Sequence, residues 1–566
     1  MAEHEHEHGL HAVAISDHVE DLSRRVARTW SLTATVLFVV LGFTVGIPHG
    51  PDAEPWERIV QLVTLGILAI GALLALRYEG VGGAILLVGS AGLWGLSALQ
   101  HQPAISFLPG LLFLVPAVAF LIAWQRTKST ASLLVLLGVV ALVLTGGALY
   151  ANSLYQHGYG AAHPESQLPP LPESPVVWIW SGSITSTDAT VVARLAETSS
   201  AYLTVMDDQE NLHEVEGIRT QDVWRFALDD LTPGTRYDYH VTADGTPLPE
   251  RTGTFTTFPV GPTSFTVAAA SCARLGSNGL VYETIAAREP DVFISTGDLF
   301  YADYVQSAAH FTHAYESSLT QPAQAHLFSS IPIAYVWDDH DYGRNDSDAT
   351  SPTRQLAFEA YTRNVPHYPL AAPDAIYQAF SIGRVQFVLI DDRSQRDPSS
   401  EEDGPDKTML GEDQLLWLQE RLLDDRYVAT IVVSQVPWIS EPVVGADHWG
   451  GYTYERQRIA EFIATNDTSA VVMIAGDAHM VAIDDGTNTN YAANGEAAFP
   501  LLQAAALDRP GSIKGGPYSE GAFAGAGQFG LIEVTDTGGS TLEIRLSGLD
   551  WTADTIVEYE FTVEAP

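Results

Sequence analysis

The chain of 566 residues contains a single cysteine and few basic residues. One cysteine cannot form an intrachain disulfide, so stability has to come from packed cores, bound metals or a membrane. The 28 lysine and arginine residues are outnumbered by 69 acidic residues, which leaves a formal charge of −41. Such an acidic chain repels a phosphate backbone, and this argues against nucleic acid as its main partner.

Long apolar runs are scarce after residue 150 but fill the region before it. Five nearly uncharged segments each approach the ~20 residues that a helix needs to cross hydrocarbon. They are Trp30–Ile47, Ile59–Leu76, Val81–Leu99, Ile105–Trp124 and Ala131–Tyr150. Because polar stripes at helical spacing are missing, the runs predict transmembrane helices rather than buried helices of a soluble domain. We therefore expect an α-helical membrane bundle at residues 29–150, after a cytoplasmic tail at residues 1–28.

Basic residues near the five segments predict their orientation. Six of them flank the side on which the chain begins, and one, Arg58, flanks the other side. Lys and Arg are retained on the cytoplasmic side, so the amino terminus is predicted inside and the chain beyond Tyr150 outside. This is the pattern of a multi-pass cell-membrane protein. A transporter or channel is a weaker alternative, because no charged residue lies within the segments.

Two stretches of different character follow the apolar segments. Residues 151–175 are rich in Gly, Pro, Ser and His, which predicts an irregular linker. Residues 176–260 contain short segments that alternate apolar and polar residues between turn signals, which is typical of a small β-sandwich. The segment LTPGTRYDYHV resembles the fibronectin type III pattern, with Tyr237 as the tyrosine corner. This resemblance implies a fold and says little about function.

Apolar strands alternate with helical stretches between residues 261 and 566, which predicts an α/β domain with two sheets. Helices are expected at Gly279–Arg288 and Glu412–Leu423, and alternating segments near the carboxyl terminus predict antiparallel strands. Several strands end abruptly in one polar residue, and these residues are Cys272, Asp298, Asp339, Asp391 and Asp477. Ligands bind beyond the carboxyl ends of strands in open α/β sheets, so these side chains are predicted to converge on one edge.

Crowded carboxylates repel one another unless cations neutralise them, so the convergent strand ends predict two metal ions. Asp298 is placed to bridge the ions, and the phenolate of Tyr301, three residues later, suits a hard ion such as Fe³⁺. Asp339 would bind the second ion. The adjacent His340 would donate a proton or a hydrogen bond to an oxyanion.

The motif AGDAHM and the lone cysteine complete the predicted set. Alternation along a strand end lets Asp477 and His479 face one site. Cys272 is a further candidate ligand, although a cysteine at an apolar strand end also packs as a small buried side chain. Tyr301 has a similar alternative, because an amphipathic ring can pack in a core without binding a metal. The residues alone leave these alternatives open.

The order of the motifs carries a more specific resemblance. Ser-Cys at Cys272 is followed by GDLFYAD, WDDHDYGRND, LIDDRSQR, DHWGGYTYERQR and AGDAH. From roughly Val176 to the carboxyl terminus, this series resembles the PhoD-like alkaline phosphatase family of metallophosphoesterases. The resemblance implies a site similar to that of purple acid phosphatases, with Fe³⁺ and a second divalent ion. The resemblance implies Ca²⁺ as that second ion, and the oxygen-rich ligand set favours Ca²⁺, Mg²⁺ or Mn²⁺ over Zn²⁺.

The resemblance also implies roles for individual residues. The iron-side ligands would be Cys272, Asp298, Tyr301 and either Asp477 or His479. The second ion would be faced by Asp298, Asp339 and Asn345. Arg393 and Arg396 match the family's Asp-x-Arg-x-x-Arg pattern, and they would either bind the substrate phosphate or hold the crowded carboxylates in place.

These features predict a membrane-anchored hydrolase of phosphate mono- or diesters, with its catalytic domain outside the cell. Two ions would activate a water and neutralise charge on the phosphoryl oxygens, while His340 assists the leaving group. The alternative is a non-catalytic cell-surface receptor or binding protein with a metal-stabilised domain. A degenerate site would favour that alternative, and none of the expected positions is obviously lost.

Overall fold

The computed structural model of the chain describes residues 24–34, 55–99, 113–121, 123–124, 161–301, 303, 307–493, 495 and 497–564. Contacts between residues divide the chain into two units, Met1–Gly158 and Tyr159–Pro566.

The first unit contains two helices, α1 (Pro55–Ala75) and α2 (Glu79–Leu99), joined by a short turn. Residues 24–34 and 113–121 are also helical. Glu79 begins α2 and accepts a hydrogen bond of 2.8 Å from Arg24 Nε, which places a carboxylate at the positive end of the helix dipole. Apolar side chains of these segments are buried against one another, among them Leu68, Ala72, Leu86 and Phe120.

The prediction of a membrane bundle is wrong for the part of the chain that the structure describes. No helix there is both long enough and apolar enough to cross a membrane. This finding contradicts the α-helical bundle at residues 29–150 and the multi-pass location inferred from it. An apolar run shows only that its side chains avoid water, and neighbouring helices can bury such side chains as lipid does. The last predicted span, Ala131–Tyr150, lies outside the described residues, as do parts of the first and fourth.

Three sheets form the framework of the second unit. The ten-stranded sheet has the order β21-β20-β19-β9-β10-β11-β1-β2-β6-β5, the seven-stranded sheet β12-β13-β14-β15-β17-β16-β18 and the four-stranded sheet β4-β3-β7-β8. The strands are β1 Val176–Gly182, β2 Ala189–Leu195, β3 Ala201–Asp207, β4 Leu212–Glu216, β5 Ile218–Thr220, β6 Val223–Leu228, β7 Arg236–Ala243, β8 Thr246–Thr256, β9 Phe265–Ala270, β10 Val292–Ser295, β11 Ile333–Tyr335, β12 Gln378–Ile382, β13 Val385–Leu389, β14 Ala429–Ser434, β15 Ala470–Ala475, β16 Met480–Asp484, β17 Leu501–Ala504, β18 Gly521–Ala524, β19 Gln528–Thr535, β20 Thr541–Asp550 and β21 Thr555–Glu564.

Helices cover the sheets and follow the strands that carry the site. They are α3 Leu280–Ala286, α4 Ala308–Leu319, α5 Pro322–Ser330, α6 Asp339–Tyr342, α7 Arg354–Asn364, α8 Glu412–Leu422 and α9 Thr453–Thr465, with a 3₁₀ turn at Trp449–Gly451. Helix α8 shows why such segments are helical. Glu412 and Asp413 lie in its first turn and Arg421 in the last, which matches the helix dipole, and its buried residues recur at helical spacing.

Two hydrophobic cores lie on opposite faces of the seven-stranded sheet. Strand β14 is buried along its whole length, as is typical of a parallel strand covered on both faces. Ile431 and Val433 face the core shared with the ten-stranded sheet. Val432, between them, faces the core that includes Leu415 and Leu418 of α8. The alternation of side chains along one strand therefore joins the two sheets to the outer helices.

The predicted β-sandwich shares a sheet with the α/β region. Strand β1 pairs in parallel with β11 through Gly182 and Ile333. A Cβ on residue 182 would lie 2.5 Å from the Ile333 oxygen, so this close approach requires glycine. The indole of Trp180 donates a hydrogen bond of 2.8 Å to the Asn364 oxygen at the end of α7. At the far side of the sandwich, the Tyr237 hydroxyl accepts a hydrogen bond of 2.8 Å from Thr232 N.

Candidate active site

Three residues that follow strands have a backbone conformation that is unfavourable for side chains. Cys272 follows β9, Asp298 follows β10 and Asp477 follows β15, with φ angles of 63°, 53° and 63°. A left-handed conformation costs a non-glycine residue about 1–3 kcal/mol and persists where the surrounding structure fixes it. These turns direct three potential ligands to the same edge of the two sheets.

A compact group of potential metal ligands lies at this edge. Ligand atoms of Asp298, Asp339 and His340 all lie within 4.8 Å of one another. The Cys272 sulfur is 3.5 Å from Asp298 Oδ2 and 3.7 Å from the backbone carbonyl oxygen of Asp477. The backbone N–H of His340 donates to Asp298 Oδ1 at 3.3 Å. Side chains from three separate strand ends and from α6 therefore meet in one place.

Unpaired oxygens in this group test whether it suits a cation. Asp339 Oδ1 and Asp477 Oδ2 are buried and have no hydrogen-bond partner. Burial, partly offset by the charge of His340, raises the pKa of Asp298 to about 8. Burial also acts on Asp339, but the charges of His340 and Arg393 outweigh it and lower the pKa of that carboxyl. A cation among these oxygens would favour the ionised form of each carboxylate, so the residues fit a metal site.

Tyr301 and His479 are also neighbours in the structure. The Tyr301 hydroxyl lies 3.1 Å from His479 Nε2. His479 Nδ1 lies 2.8 Å from the Pro510 oxygen, so Nδ1 carries the proton and the lone pair of Nε2 faces Tyr301. Burial, with the nearby charges of Lys514 and Arg509, lowers the pKa of His479 to about 3 and keeps the ring neutral. A neutral ring oriented by a backbone carbonyl is the usual form of a histidine ligand.

His340 has a different environment from His479. Its Nδ1 is hydrogen-bonded to the carboxylate of Asp303. Its ring stacks on Tyr301 with centroids 3.8 Å apart. Burial opposes protonation, but Asp303, Asp339 and Asp298 outweigh it and raise the pKa of His340 well above its usual range. Because Asp303 occupies Nδ1, Nε2 is the ring nitrogen that is placed to donate a proton.

The two arginines of the DDRSQR motif hold carboxylates. Arg393 is fully buried and lies 2.5 Å from Asp338, 2.8 Å from Asp447 and 3.8 Å from Asp339. Arg396 binds Asp447 at 2.7 Å, and its Nε donates to the Tyr452 hydroxyl at 2.8 Å. Arg393 thus touches the edge of the ligand group, whereas Arg396 acts through Asp447.

Two of the residues singled out from the sequence are not placed in the ligand group by any described contact. Asp391 accepts hydrogen bonds from the Trp337 indole at 3.0 Å and the Ser394 hydroxyl at 2.7 Å. The bond from Ser394 closes the turn that begins at Asp391. Asn345 is half-buried in the turn that follows α6. Its neighbour Asp346 instead forms a second candidate group with Asp339 and Asp447, whose oxygens lie within 4.8 Å of one another.

Three residues at the site were not among the ligands or catalytic residues predicted from the sequence. Asp303 pairs with His340, Asp447 pairs with both arginines, and Lys514 Nζ lies 2.5 Å from Asp477 Oδ1. Each lies on a loop rather than directly after a strand. Asp303 and Asp447 do lie within the GDLFYAD and DHWGG motifs, and this position was the available clue.

Two regions of the chain are similar to known protein families. Residues 265–507 match the family described as PhoD-like phosphatase. Residues 16–132 match a family described only as a domain of unknown function (DUF7670). A curated relative, alkaline phosphatase D of Bacillus subtilis (strain 168), is 26% identical over 183 residues, which cover 27% of this chain and 31% of the relative. The match therefore spans about a third of that relative's length.

Two solved structures share the fold. The structure of PhoD has a TM-score of 0.57 at 17% identity and covers 71% of this chain and 92% of its own. Purple acid phosphatase PPD1 from yellow lupin (Lupinus luteus) seeds has a TM-score of 0.51 at 13% identity, with 70% and 75% covered. At these identities the likeness concerns the fold. Together, the family match, the curated relative and the fold support a phosphatase enzyme.

Proposed function

We propose that this chain is a metal-dependent phosphohydrolase that cleaves phosphate mono- or diesters at a centre with two metal ions. The observation that carries the proposal is the buried pair Asp298 and Asp339, whose carboxylate oxygens lie within 4.8 Å of each other and of the His340 ring. The group lies beyond the carboxyl ends of strands within the region similar to PhoD-like phosphatases. Bound ions would lower the pKa of a water and neutralise charge on the phosphoryl oxygens.

The ligands on the two sides of the proposed centre differ in character. Cys272, Tyr301 and His479, with Asp477, offer sulfur, phenolate, imidazole and carboxylate, a set that suits Fe³⁺. On the other side, Asp339 and the proposed ligand Asn345 offer only oxygen atoms. Oxygen ligands suit Ca²⁺, Mg²⁺ or Mn²⁺, and Ca²⁺ tolerates an irregular arrangement best. Asp298 lies 3.5 Å from the Cys272 sulfur and has a carboxylate oxygen within 4.8 Å of one of Asp339, so it is the proposed bridge.

His340 is the proposed proton donor to the leaving oxygen. Its ring is held by Asp303 and by the face of Tyr301, so Nε2 has a fixed direction. The cleaved bond leaves an alkoxide that needs a proton, and a positioned acid supplies one in the transition state. Asp303 orients the ring and stabilises its charge.

Arg393 and Arg396 are proposed to position the carboxylates. The guanidinium of Arg393 lies between Asp338 and Asp447, and its Nη1 also donates to the Ser347 oxygen at 3.3 Å. With these three contacts, Arg393 holds the acidic residues in place against their mutual repulsion. The geometry therefore supports the positioning role over direct binding of phosphate.

The proposal is tested by metal analysis of the purified full chain together with assays on a phosphomonoester and a phosphodiester. Wild-type protein is expected to hold iron and a second divalent ion and to hydrolyse at least one ester. Asp339→Ala should lose the second ion and the activity, because Asp339 supplies an unpaired buried oxygen. Asp339→Asn, which keeps one oxygen, should retain weak binding. Hydrolysis by a chain that holds no metal would contradict the proposal.

A further inference from the structure

Lys514 places a cation directly against a carboxylate of the ligand group. The carboxylates of Asp298, Asp339 and Asp477 are buried, with exposed fractions of 1%, 3% and 7%. The Lys514 side chain is 42% exposed, and its ammonium nonetheless lies 2.5 Å from Asp477 Oδ1. The aliphatic part of Lys514 therefore runs along the surface while its charge reaches into the acidic group.

The loop that carries Lys514 is fixed to the site. Its Pro510 oxygen accepts the hydrogen bond from His479 Nδ1 at 2.8 Å, and Ser512 N donates to the His479 oxygen at 2.9 Å. After Lys514 the chain turns back through Gly515, which has a φ of 71°, and Gly516 N donates to the Ile439 oxygen at 2.8 Å. The same loop thus orients a proposed metal ligand and presents the lysine beside it.

Lys514 differs from the other cations described at the site. Arg393 and Arg396 are fully buried and engaged by acidic residues. The chain has only three lysines, and Lys407 donates to the oxygens of Ser399, Glu401 and Gly451, each within 3.0 Å. An ammonium has three donors, and the contact with Asp477 uses one, so further donors of Lys514 can point towards the exposed side.

We propose that Lys514 is a substrate-binding residue whose ammonium contacts an oxygen of the phosphoryl group. This inference rests on the proposed phosphohydrolase function and adds a residue to its substrate site. The Lys514 side chain is partly exposed beside Asp477, so solvent and solutes reach it next to the acidic group. A lysine binds phosphate oxygens as a compact point charge, and its contact would offset the repulsion between a phosphoryl anion and the acidic residues.

The inference is tested by titrating inorganic phosphate calorimetrically into the metal-loaded full chain, with the metal content of each protein measured in parallel. Lys514→Gln is expected to weaken phosphate binding roughly ten- to a hundredfold, because a hydrogen bond between charged groups is lost. It should also raise KM, without loss of metal. Lys514→Arg should recover part of the affinity. Arg545→Gln, which removes an exposed charge paired with Glu560, is the matched control and should bind as wild type does.

Two results would overturn the inference. One is phosphate binding by loaded Lys514→Gln with wild-type affinity. The other is a loss of metal from this variant that accounts for all of its loss of binding, because Lys514 would then act only on Asp477. If the variant does not fold, acetylation of wild-type Lys514 can be followed by mass spectrometry, and saturating phosphate should slow it. An unchanged rate rejects the inference. A wild-type chain that binds no phosphate and hydrolyses no ester instead refutes the proposed function itself.

Discussion

Among single residues, Tyr301 has the neighbours expected of a metal-bound phenolate. Its hydroxyl faces His479 Nε2 at 3.1 Å, and the guanidinium of Arg509 lies 4.3 Å from the centre of its ring. Burial, together with the charges of Asp298 and Cys272, raises the pKa of the free phenol well above its usual range. Ionisation of Tyr301 therefore requires a strongly charged partner, and Fe³⁺ would supply that charge.

Replacing Tyr301 with Phe tests the iron assignment. A phenolate bound to Fe³⁺ gives a charge-transfer absorption band, so the wild-type protein should be coloured and Tyr301→Phe should lose the band. Tyr454→Phe alters an exposed tyrosine and should leave the spectrum unchanged. A colourless, fully active wild-type protein that contains only zinc would reject the assignment.

The role of His340 predicts a dependence on the leaving group. His340→Ala should keep both ions and lose about 10²–10⁴-fold in the rate of alkyl-ester hydrolysis, because the alkoxide departs without a proton. Nitrophenyl esters should lose much less, since nitrophenolate leaves unprotonated. Rates on both substrates and metal content would be measured together. Equal losses on both substrates, accompanied by loss of metal, would show that His340 is a ligand or a structural residue.

Residue types and strand ends predicted that several of these side chains lie close together, whereas the residues on loops were not predicted. That the group binds metal stays a prediction. Cys272, Asp298 and Asp477 could be identified because each directly follows a strand whose apolar pattern is visible in the sequence. Asp447 and Lys514 lie on loops whose paths depend on tertiary contacts, so sequence spacing gives no measure of their distance from Asp339 or Asp477. The choice between Asn345 and Asp346 depends in the same way on the turn that follows α6.

At the scale of elements, helices and strands were predicted more reliably than their surroundings. Helix α8 was expected at Glu412–Leu423 and runs over Glu412–Leu422, because its buried residues recur at helical spacing. The apolar run Ile59–Leu76 is helical up to Ala75 as part of α1, yet the prediction that it crosses a membrane was wrong. Periodicity reports the local conformation, whereas the medium around a helix depends on the whole fold.

The pairing of β1 with β11 gives a prediction for these elements. Gly182→Ala places a methyl group 2.5 Å from the oxygens of Ile333 and Pro366, so the strands must separate. The free energy of unfolding should fall by about 1–3 kcal/mol, as is usual for overpacking. Gly404→Ala meets no atom within 4 Å and is the matched control. Denaturant unfolding of the two variants measures the difference, and equal stabilities would show that the shared sheet tolerates a wider spacing.

At the scale of the whole molecule, the negative net charge disfavours an anionic substrate, whereas the proposed site has to bind one. A net charge of −41 repels anionic esters, yet the proposed substrate is an anion. Bound metal ions would reverse the local charge among Asp298, Asp339 and Asp477, so catalysis should depend entirely on their presence. Removal of the ions should also lower the thermal stability, because the buried carboxylates then repel one another.

The central claim is that metal ions held by these strand-end residues hydrolyse phosphate esters, and one measurement tests it most directly. The purified full chain is treated with a chelator, dialysed and assayed on a phosphomonoester and a phosphodiester before and after Fe³⁺ and Ca²⁺ are returned. We predict that chelation abolishes hydrolysis and that the two ions together restore it in wild type but not in Asp339→Ala. Undiminished hydrolysis by the metal-free chain, or full restoration in Asp339→Ala, would contradict the claim.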